Sequence, residues 1–139
     1  MADLTIGSNG VSVVFGNVAE IRDFIAVEAI TAGQPVYITS AGKVGIADAN
    51  AAGKQQFRGI ALKSTAIGKA CPVLKRGYLG GFVLTGVAYD GQVFLSDTAG
   101  SLADAAGTMS VVCGRVSCLA DPDLTKILYV DADWLRAWA

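Results

Sequence analysis

The chain has 139 residues, a formal net charge of −1, no histidine and 53% hydrophobic residues. That length fits one domain with a core of its own, and no apolar run approaches the ~20 residues of a membrane-spanning helix. Without histidine the commonest general base and metal ligand is missing, so Ser-His-Asp and Cys-His sites are excluded. We therefore expect no enzyme, no cofactor, no metal site and no membrane contact.

Residues 1–28 are predicted to form an extended N-terminal arm with little core of its own. Leu4-Thr5-Ile6 and Val11-Ser12-Val13 alternate apolar and polar residues, which is typical of half-buried strands. Such an arm either pairs with the sheet edge of a neighbouring subunit or forms an edge strand of its own subunit. The candidate interface residues here are Leu4, Ile6, Val11, Val13 and Phe15.

The rest of the chain, residues 29–139, is predicted to be a β domain with an internal repeat. The segments 33–42 and 91–100 have the same order of residue types, Gly-Gln, an apolar run with an aromatic, small polar residues and Ala-Gly. Their offset is 58 residues at both ends (91 − 33 and 100 − 42). Self-similarity of this kind is typical of a duplicated structural unit. We place the two copies at residues 29–84 and 85–130.

Each copy is predicted to contain short strands joined by turns. A strand beginning near Pro35 and a hairpin tip at residues 40–43 open the first copy, and the strand 57–63 follows with a bulge or close approach at Gly59. Residues 75–84 join the copies, and their glycines indicate strand kinks and turns. In the second copy the strands are 93–95, 111–116 and 126–130, with a turn at Asp121-Pro122-Asp123.

The tail, residues 131–139, is predicted to form a short helical turn capped by an aspartate. Trp134 and Trp138 are four residues apart and would share one face of it. Two large rings left in water would be a costly exposed patch. Both tryptophans are therefore interface candidates that bury either against their own core or barrel mouth, or against a partner, where Trp is enriched.

Charged residues are distributed unevenly along the chain: residues 50–89 include six basic residues and no acidic one. Such an asymmetry either orients a neighbouring protein electrostatically or belongs to an ordinary solvated surface. Lys75 and Arg76 are the candidate contact residues in this segment. The basic residues lack interleaved aromatics, so we expect no direct nucleic acid binding. The three cysteines have no close-paired motif, and we expect reduced structural thiols rather than a disulfide.

Five short motifs together carry a resemblance to a known family. They are residues 32–37 (AGQPVY), 41–44 (AGKV), 57–61 (FRGIA), 89–94 (YDGQVF) and 113–116 (CGRV). In these motifs the chain resembles the bacteriophage capsid cement, or head decoration, proteins. The resemblance implies a compact β-barrel or β-tulip-like domain, usually trimeric, seated outside an icosahedral head where major capsid subunits meet.

The expected function is therefore that of a structural virion protein. It would bind the outer capsid surface as a homotrimer, cement adjacent major capsid protein subunits and stabilise the expanded shell. No signal peptide is visible, so we expect synthesis in the host cytoplasm. The alternatives are a trimeric receptor-binding fibre or spike module and a β-barrel that binds a small ligand such as a sugar or lipid.

Overall fold

The computed structural model describes residues 2–120 and 124–138, in which ten strands form one curled antiparallel sheet. The predicted all-β, barrel-like fold is confirmed, with 41% strand and 2% helix. The predicted turn at residues 121–123 lies outside the described residues. The strands are β1 (Ser12–Val14), β2 (Glu20–Ile25), β3 (Pro35–Ile38), β4 (Val44–Ile46), β5 (Gly59–Ala61), β6 (Ala70–Gly80), β7 (Gln92–Leu95), β8 (Leu102–Ala103), β9 (Val112–Cys118) and β10 (Lys126–Asp131).

The order of strands in the sheet shows how the repeat is built. It runs β4-β3-β5-β6-β10-β9-β7-β8, with β1 and β2 also paired to β6. From the middle outwards, β6-β5-β3-β4 of the first copy match β10-β9-β7-β8 of the second. The two halves join where β6 and β10 pair, with Tyr78 opposite Tyr129. The duplicated sequence therefore folds into two four-stranded halves of one sheet.

Backbone conformation corrects the predicted offset of 58 by one residue at the start of each copy. Gly33 has φ +92° and Asp90 has φ +60°, so these two residues are the structural equivalents, 57 apart. At the hairpin tips Gly42 (φ +79°) and Gly100 (φ +80°) keep the offset of 58. The second copy thus has one more residue between these two points. The sequence pattern aligned Gly33 with Gly91 and so concealed this shift. Asp90 can take the place of Gly33 in the structure because Asp is among the few residues that tolerate a left-handed backbone.

In each copy the backbone of one strand passes so close to a carbonyl group of the next strand that only glycine fits. A Cβ atom at Gly59 in β5 would lie 2.6 Å from the Leu74 carbonyl oxygen of β6. A Cβ atom at Gly114 in β9 would lie 2.0 Å from the Tyr129 carbonyl oxygen of β10. The close approach predicted at Gly59 is confirmed, and it recurs at the equivalent place in the second copy.

The core consists of two clusters of buried side chains on the inner side of the sheet. Burying each large aliphatic or aromatic side chain contributes roughly 1.5–3 kcal/mol, so these clusters dominate the stability of the fold. The larger includes Phe57, Ile60, Leu74, Leu79, Leu95, Leu128 and Trp138, and the smaller Ile30, Val36, Val44, Cys71 and Val73.

The N-terminal segment lies against the sheet of its own chain. Leu4 N–H donates to Leu102 O of β8 (2.8 Å), and β1 and β2 both pair with β6. The side chains of Leu4, Val11 and Val13 pack against the larger core cluster. Of the two alternatives for this segment, the structure shows the edge strand of the same chain.

The C-terminal tail forms a β-turn in place of the predicted helical turn. Arg136 N–H donates to Asp133 O and Leu135 N–H donates to Asp133 Oδ1, both at 3.2 Å. Beyond this turn Trp138 N–H donates to Gln56 Oε1 (2.8 Å). Residues 136–138 are not helical, so no helical face carries both tryptophans.

The three thiols should differ in reactivity in the native protein. Burial raises the pKa of Cys113 well above its ordinary value and also raises the pKa of Cys71. Both are buried, whereas Cys118 is partly exposed. Near pH 8 a thiol reagent should therefore modify Cys118 first and all three in denaturant, because the thiolate is the reactive form. Three equally fast thiols in the native protein would contradict this assignment.

Candidate interaction face

One row of directly opposed residues crosses five strands on the outer side of the sheet. Residues directly opposite each other in antiparallel strands point to the same side. The row consists of Val14, Tyr78, Tyr129, Arg115 and Gln92, contributed by β1, β6, β10, β9 and β7. We call these five residues, together with Phe15, the Tyr78 face.

The neighbouring row points inward and fixes this face to the core. Val13, Leu79, Leu128 and Val116 are opposed across β1, β6, β10 and β9. Leu79, Leu128 and Val116 are buried. Since successive residues of a strand alternate between its two sides, burial of this row holds the Tyr78 face outward on a rigid support.

Three aromatic rings form the centre and one end of the face. Phe15 meets Tyr78 edge to face, with ring centroids 5.4 Å apart, and Tyr78 lies 5.0 Å from Tyr129. Phe15 is 43% exposed and has a left-handed backbone, φ 57° and ψ 57°. That conformation costs a residue with a side chain about 1–2 kcal/mol. Backbone strain of this kind concentrates at functional positions, which favours a role for the exposed ring.

A network of charges lies beside the rings. Arg76 Nε donates to Asp131 Oδ1 (3.0 Å), and Arg76 Nη1 lies 3.5 Å from Glu20 Oε1. Lys75 Nζ lies 3.6 Å from the other Glu20 oxygen. The hydrogen bond to Asp131 raises the pKa of the Arg76 guanidinium. Exposed ion pairs add little stability, so the network matters mainly as a pattern of positive and negative charge beside the rings.

The other half of the face offers hydrogen-bonding groups. Burial raises the pKa of the Tyr129 phenol, so it stays neutral and able to donate near pH 7. Arg115 Nη1 donates to Asp90 O (2.7 Å), which holds the guanidinium beside the start of β7. A groove of about 230 Å³ lies alongside, lined by Arg115, Tyr129, Asp131, Asp133, Arg136 and Trp138. Tyrosine and arginine are among the residues enriched at protein interfaces, so this side of the sheet suits a broad partner surface.

Of the nine predicted interface residues, Phe15 belongs to this face, and Arg76 and Lys75 adjoin it through their ion pairs with Glu20. Lys75 points into a neighbouring groove, where its Nζ lies 4.7 Å from the centre of the Trp134 ring. The Trp134 indole N–H donates to Arg58 O (2.7 Å), which ties that ring to its own chain.

The other predicted residues are not part of the face, although Trp138 also lines the groove beside it. Trp138 is 8% exposed and belongs to the core, and the amide groups of Gln55 and Gln56 donate to its carbonyl oxygen. Ile6 pairs with Phe82 and remains exposed. Leu4, Val11 and Val13 pack against the core, as described above. Within the single chain, Trp138 is buried and Trp134 is half-buried against its own subunit.

Sequence reasoning missed Tyr78, Tyr129 and Arg115. The alternation in residues 76–79 and 128–131 could have indicated that each tyrosine points to the side of its strand away from the neighbouring buried leucine. The pairing of β6 with β10 joins residues about fifty positions apart. No local pattern reports such a contact.

Across residues 2–120 and 124–138, no three Cys, Asp or Glu side chains are grouped so that they could hold a metal ion. The same residues contain no helix long and apolar enough to cross a bilayer. Comparisons of the chain with models of protein families, with curated proteins and with solved structures find no match.

Proposed function

We propose that the chain is a capsid decoration protein that binds the outer surface of an icosahedral phage head and cements adjacent major capsid protein subunits. The observation that carries the proposal is the Tyr78 face. It places three aromatic rings on one side of a rigid sheet, and the charges of Arg76, Glu20 and Asp131 lie beside them. The repeated motifs that resemble the cement proteins support the same function.

Binding alone is sufficient for such a protein to stabilise a shell. A protein that binds the expanded shell but not its separated subunits shifts the equilibrium toward the shell by mass action. We propose that it acts as a homotrimer, because three linked copies raise the effective concentration of each contact. A modest affinity at each face then suffices for firm attachment.

Replacing Tyr78 by alanine should weaken binding to expanded heads by about 10- to 100-fold, which is the usual loss at a central interface tyrosine. The change removes a partly exposed ring from the middle of the face. The measurement is co-sedimentation of the purified variant with undecorated expanded heads of the same virus, over a range of concentrations.

Tyr89→Ala is the matched control, because Tyr89 is an exposed tyrosine that lines a different groove. Its affinity should change by less than about threefold, within the range of near-neutral interface substitutions. Thermal melting of both variants checks that the fold is intact. Equal affinities for Tyr78→Ala and the wild-type protein would overturn the assignment of this face.

A further inference from the structure

The groove beside the Tyr78 face contains a buried hydrogen-bond donor that has no acceptor. Trp138 lines this groove, which has a volume of about 230 Å³. In residues 2–120 and 124–138, the indole N–H of Trp138 is buried and no group accepts a hydrogen bond from it. The other tryptophan differs, because the Trp134 indole N–H donates to Arg58 O (2.7 Å). Buried donors without an acceptor are rare in folded proteins, so this one calls for an explanation.

The side chains around the groove supply hydrogen-bonding groups of both kinds. Two arginines can only donate, two aspartates can only accept and one tyrosine can do both; they are Arg115, Arg136, Asp131, Asp133 and Tyr129. The Arg136 guanidinium carbon lies 4.0 Å from the centre of the Trp138 ring. In the part of the chain that the structure describes, no ion pair holds this guanidinium and no hydrogen bond uses the Tyr129 hydroxyl.

The charges that line the groove cancel. Two guanidinium groups and two carboxylates give the lining no net charge. An anion that enters would approach both aspartates, and a cation would approach both arginines, so a charged ligand gains little from the groove as a whole. A neutral ligand that both donates and accepts hydrogen bonds suits this set of side chains best.

The size and the apolar walls of the groove narrow the class of ligand. Its volume is below the range of about 300–1,000 Å³ that is usual for drug-sized ligands. Val112 and the rings of Tyr129 and Trp138 provide apolar surface next to the polar groups. A sugar ring has apolar C–H faces, and each hydroxyl group around its edge can donate and accept. One sugar ring therefore matches the groove in size, charge and hydrogen bonding.

We propose that this groove binds a single neutral sugar unit. Its hydroxyl groups would donate to Asp133 and accept from Arg115 and Tyr129. A further sugar oxygen would accept a hydrogen bond from the Trp138 indole N–H. The Arg136 side chain is exposed and lies over the Trp138 ring, so it is the group that would move to admit this oxygen.

The test is NMR of the full chain with the methyl glycosides of glucose, mannose and galactose as neutral probes. The chain has two tryptophans, so it gives two indole N–H signals, and the variant Trp134→Phe assigns them. At least one probe should shift the Trp138 signal and saturate with a Kd on the order of 1 mM, as expected for so small a ligand. The Trp134 signal is the internal control and should stay in place, because its N–H is already bonded to Arg58.

Charged and open-chain probes test the reasons for choosing a neutral sugar. The uronate and the amino sugar derived from the glycoside that binds are compared at about pH 6, where one is an anion and the other a cation. Each should bind at least about threefold more weakly than the neutral glycoside, because each meets two like charges. Glycerol has hydroxyl groups but no ring, and at the same concentration it should shift the Trp138 signal less.

Tyr129→Phe keeps the ring and removes one hydroxyl group from the groove. Its affinity for the glycoside should fall by about 3- to 10-fold, the usual effect of one lost hydrogen bond. Tyr89→Phe is the matched control, because Tyr89 lines a different groove, and its affinity should equal that of the wild-type protein.

The inference is overturned if no glycoside shifts the Trp138 signal at concentrations up to about 50 mM. It is also overturned if glycerol or a charged sugar binds as tightly as the neutral glycoside, or if Tyr129→Phe binds as tightly as Tyr89→Phe. The inference rests on the groove and not on the proposed function. A chain that binds phage heads but none of these sugars would refute the inference only, and the reverse result would refute the proposed function only.

Discussion

Replacing Gly114 by alanine should lower the free energy of unfolding by about 3 kcal/mol or more, because the substitution forces the backbone to move. The new Cβ atom would lie 2.0 Å from the Tyr129 carbonyl oxygen, and a carbonyl in the middle of a paired strand cannot rotate away. β9 and β10 would have to separate at the centre of the second half-sheet. The midpoint of thermal unfolding should fall by roughly 10 °C for a domain of this size.

Gly86→Ala is the matched control, because no atom lies within 4 Å of the position its Cβ would take. Its unfolding midpoint should stay close to that of the wild-type protein. Gly59→Ala should behave like Gly114→Ala, since its Cβ atom would lie 2.6 Å from the Leu74 carbonyl oxygen. Equal midpoints for Gly114→Ala and Gly86→Ala would show that the two strands do not approach as described.

Replacing Trp138 by alanine should cost about 3–5 kcal/mol of stability, the usual range for an aromatic side chain lost from a core. The residue is only 8% exposed and packs in the larger core cluster. Its backbone is also held by Gln55 and Gln56. Urea unfolding of the purified chain, followed by circular dichroism, measures the loss.

Leu135→Ala is the control for Trp138→Ala, because the Leu135 side chain is fully exposed in the same tail. That change should alter stability by less than about 0.5 kcal/mol, as is usual for surface substitutions. If Trp138→Ala were as stable as Leu135→Ala and lost only its ability to assemble, the tryptophan would be a partner contact and not a core residue.

The all-β fold and the duplication could be predicted from the sequence, because they depend on local signals. Short apolar runs separated by glycines indicate strands and turns, and the turn glycines Gly42 and Gly100 mark the same position in both copies. The exact offset was wrong by one residue at Gly33. There the structural equivalent is Asp90, and aspartate tolerates a left-handed backbone but does not by itself predict one.

The candidate face could be predicted only in part. Phe15 was a candidate as part of the N-terminal arm, and Arg76 was one because basic residues cluster in residues 50–89. Tyr78 and Tyr129 become neighbours only when β6 pairs with β10. The tryptophans show the opposite difficulty. Composition indicated that they must be buried, but the burial of Trp138 depends on Gln55 and Gln56, more than eighty residues away. Contacts of that range leave no periodic trace in one sequence.

The central claim, that this chain binds the outside of an assembled phage head, is tested most directly by mixing the purified wild-type protein with undecorated expanded heads and sedimenting the heads. The account predicts saturable binding at micromolar concentration, and greater resistance of the decorated heads to heat. A protein that stays in the supernatant at every concentration, while the heads remain as fragile as before, would contradict it.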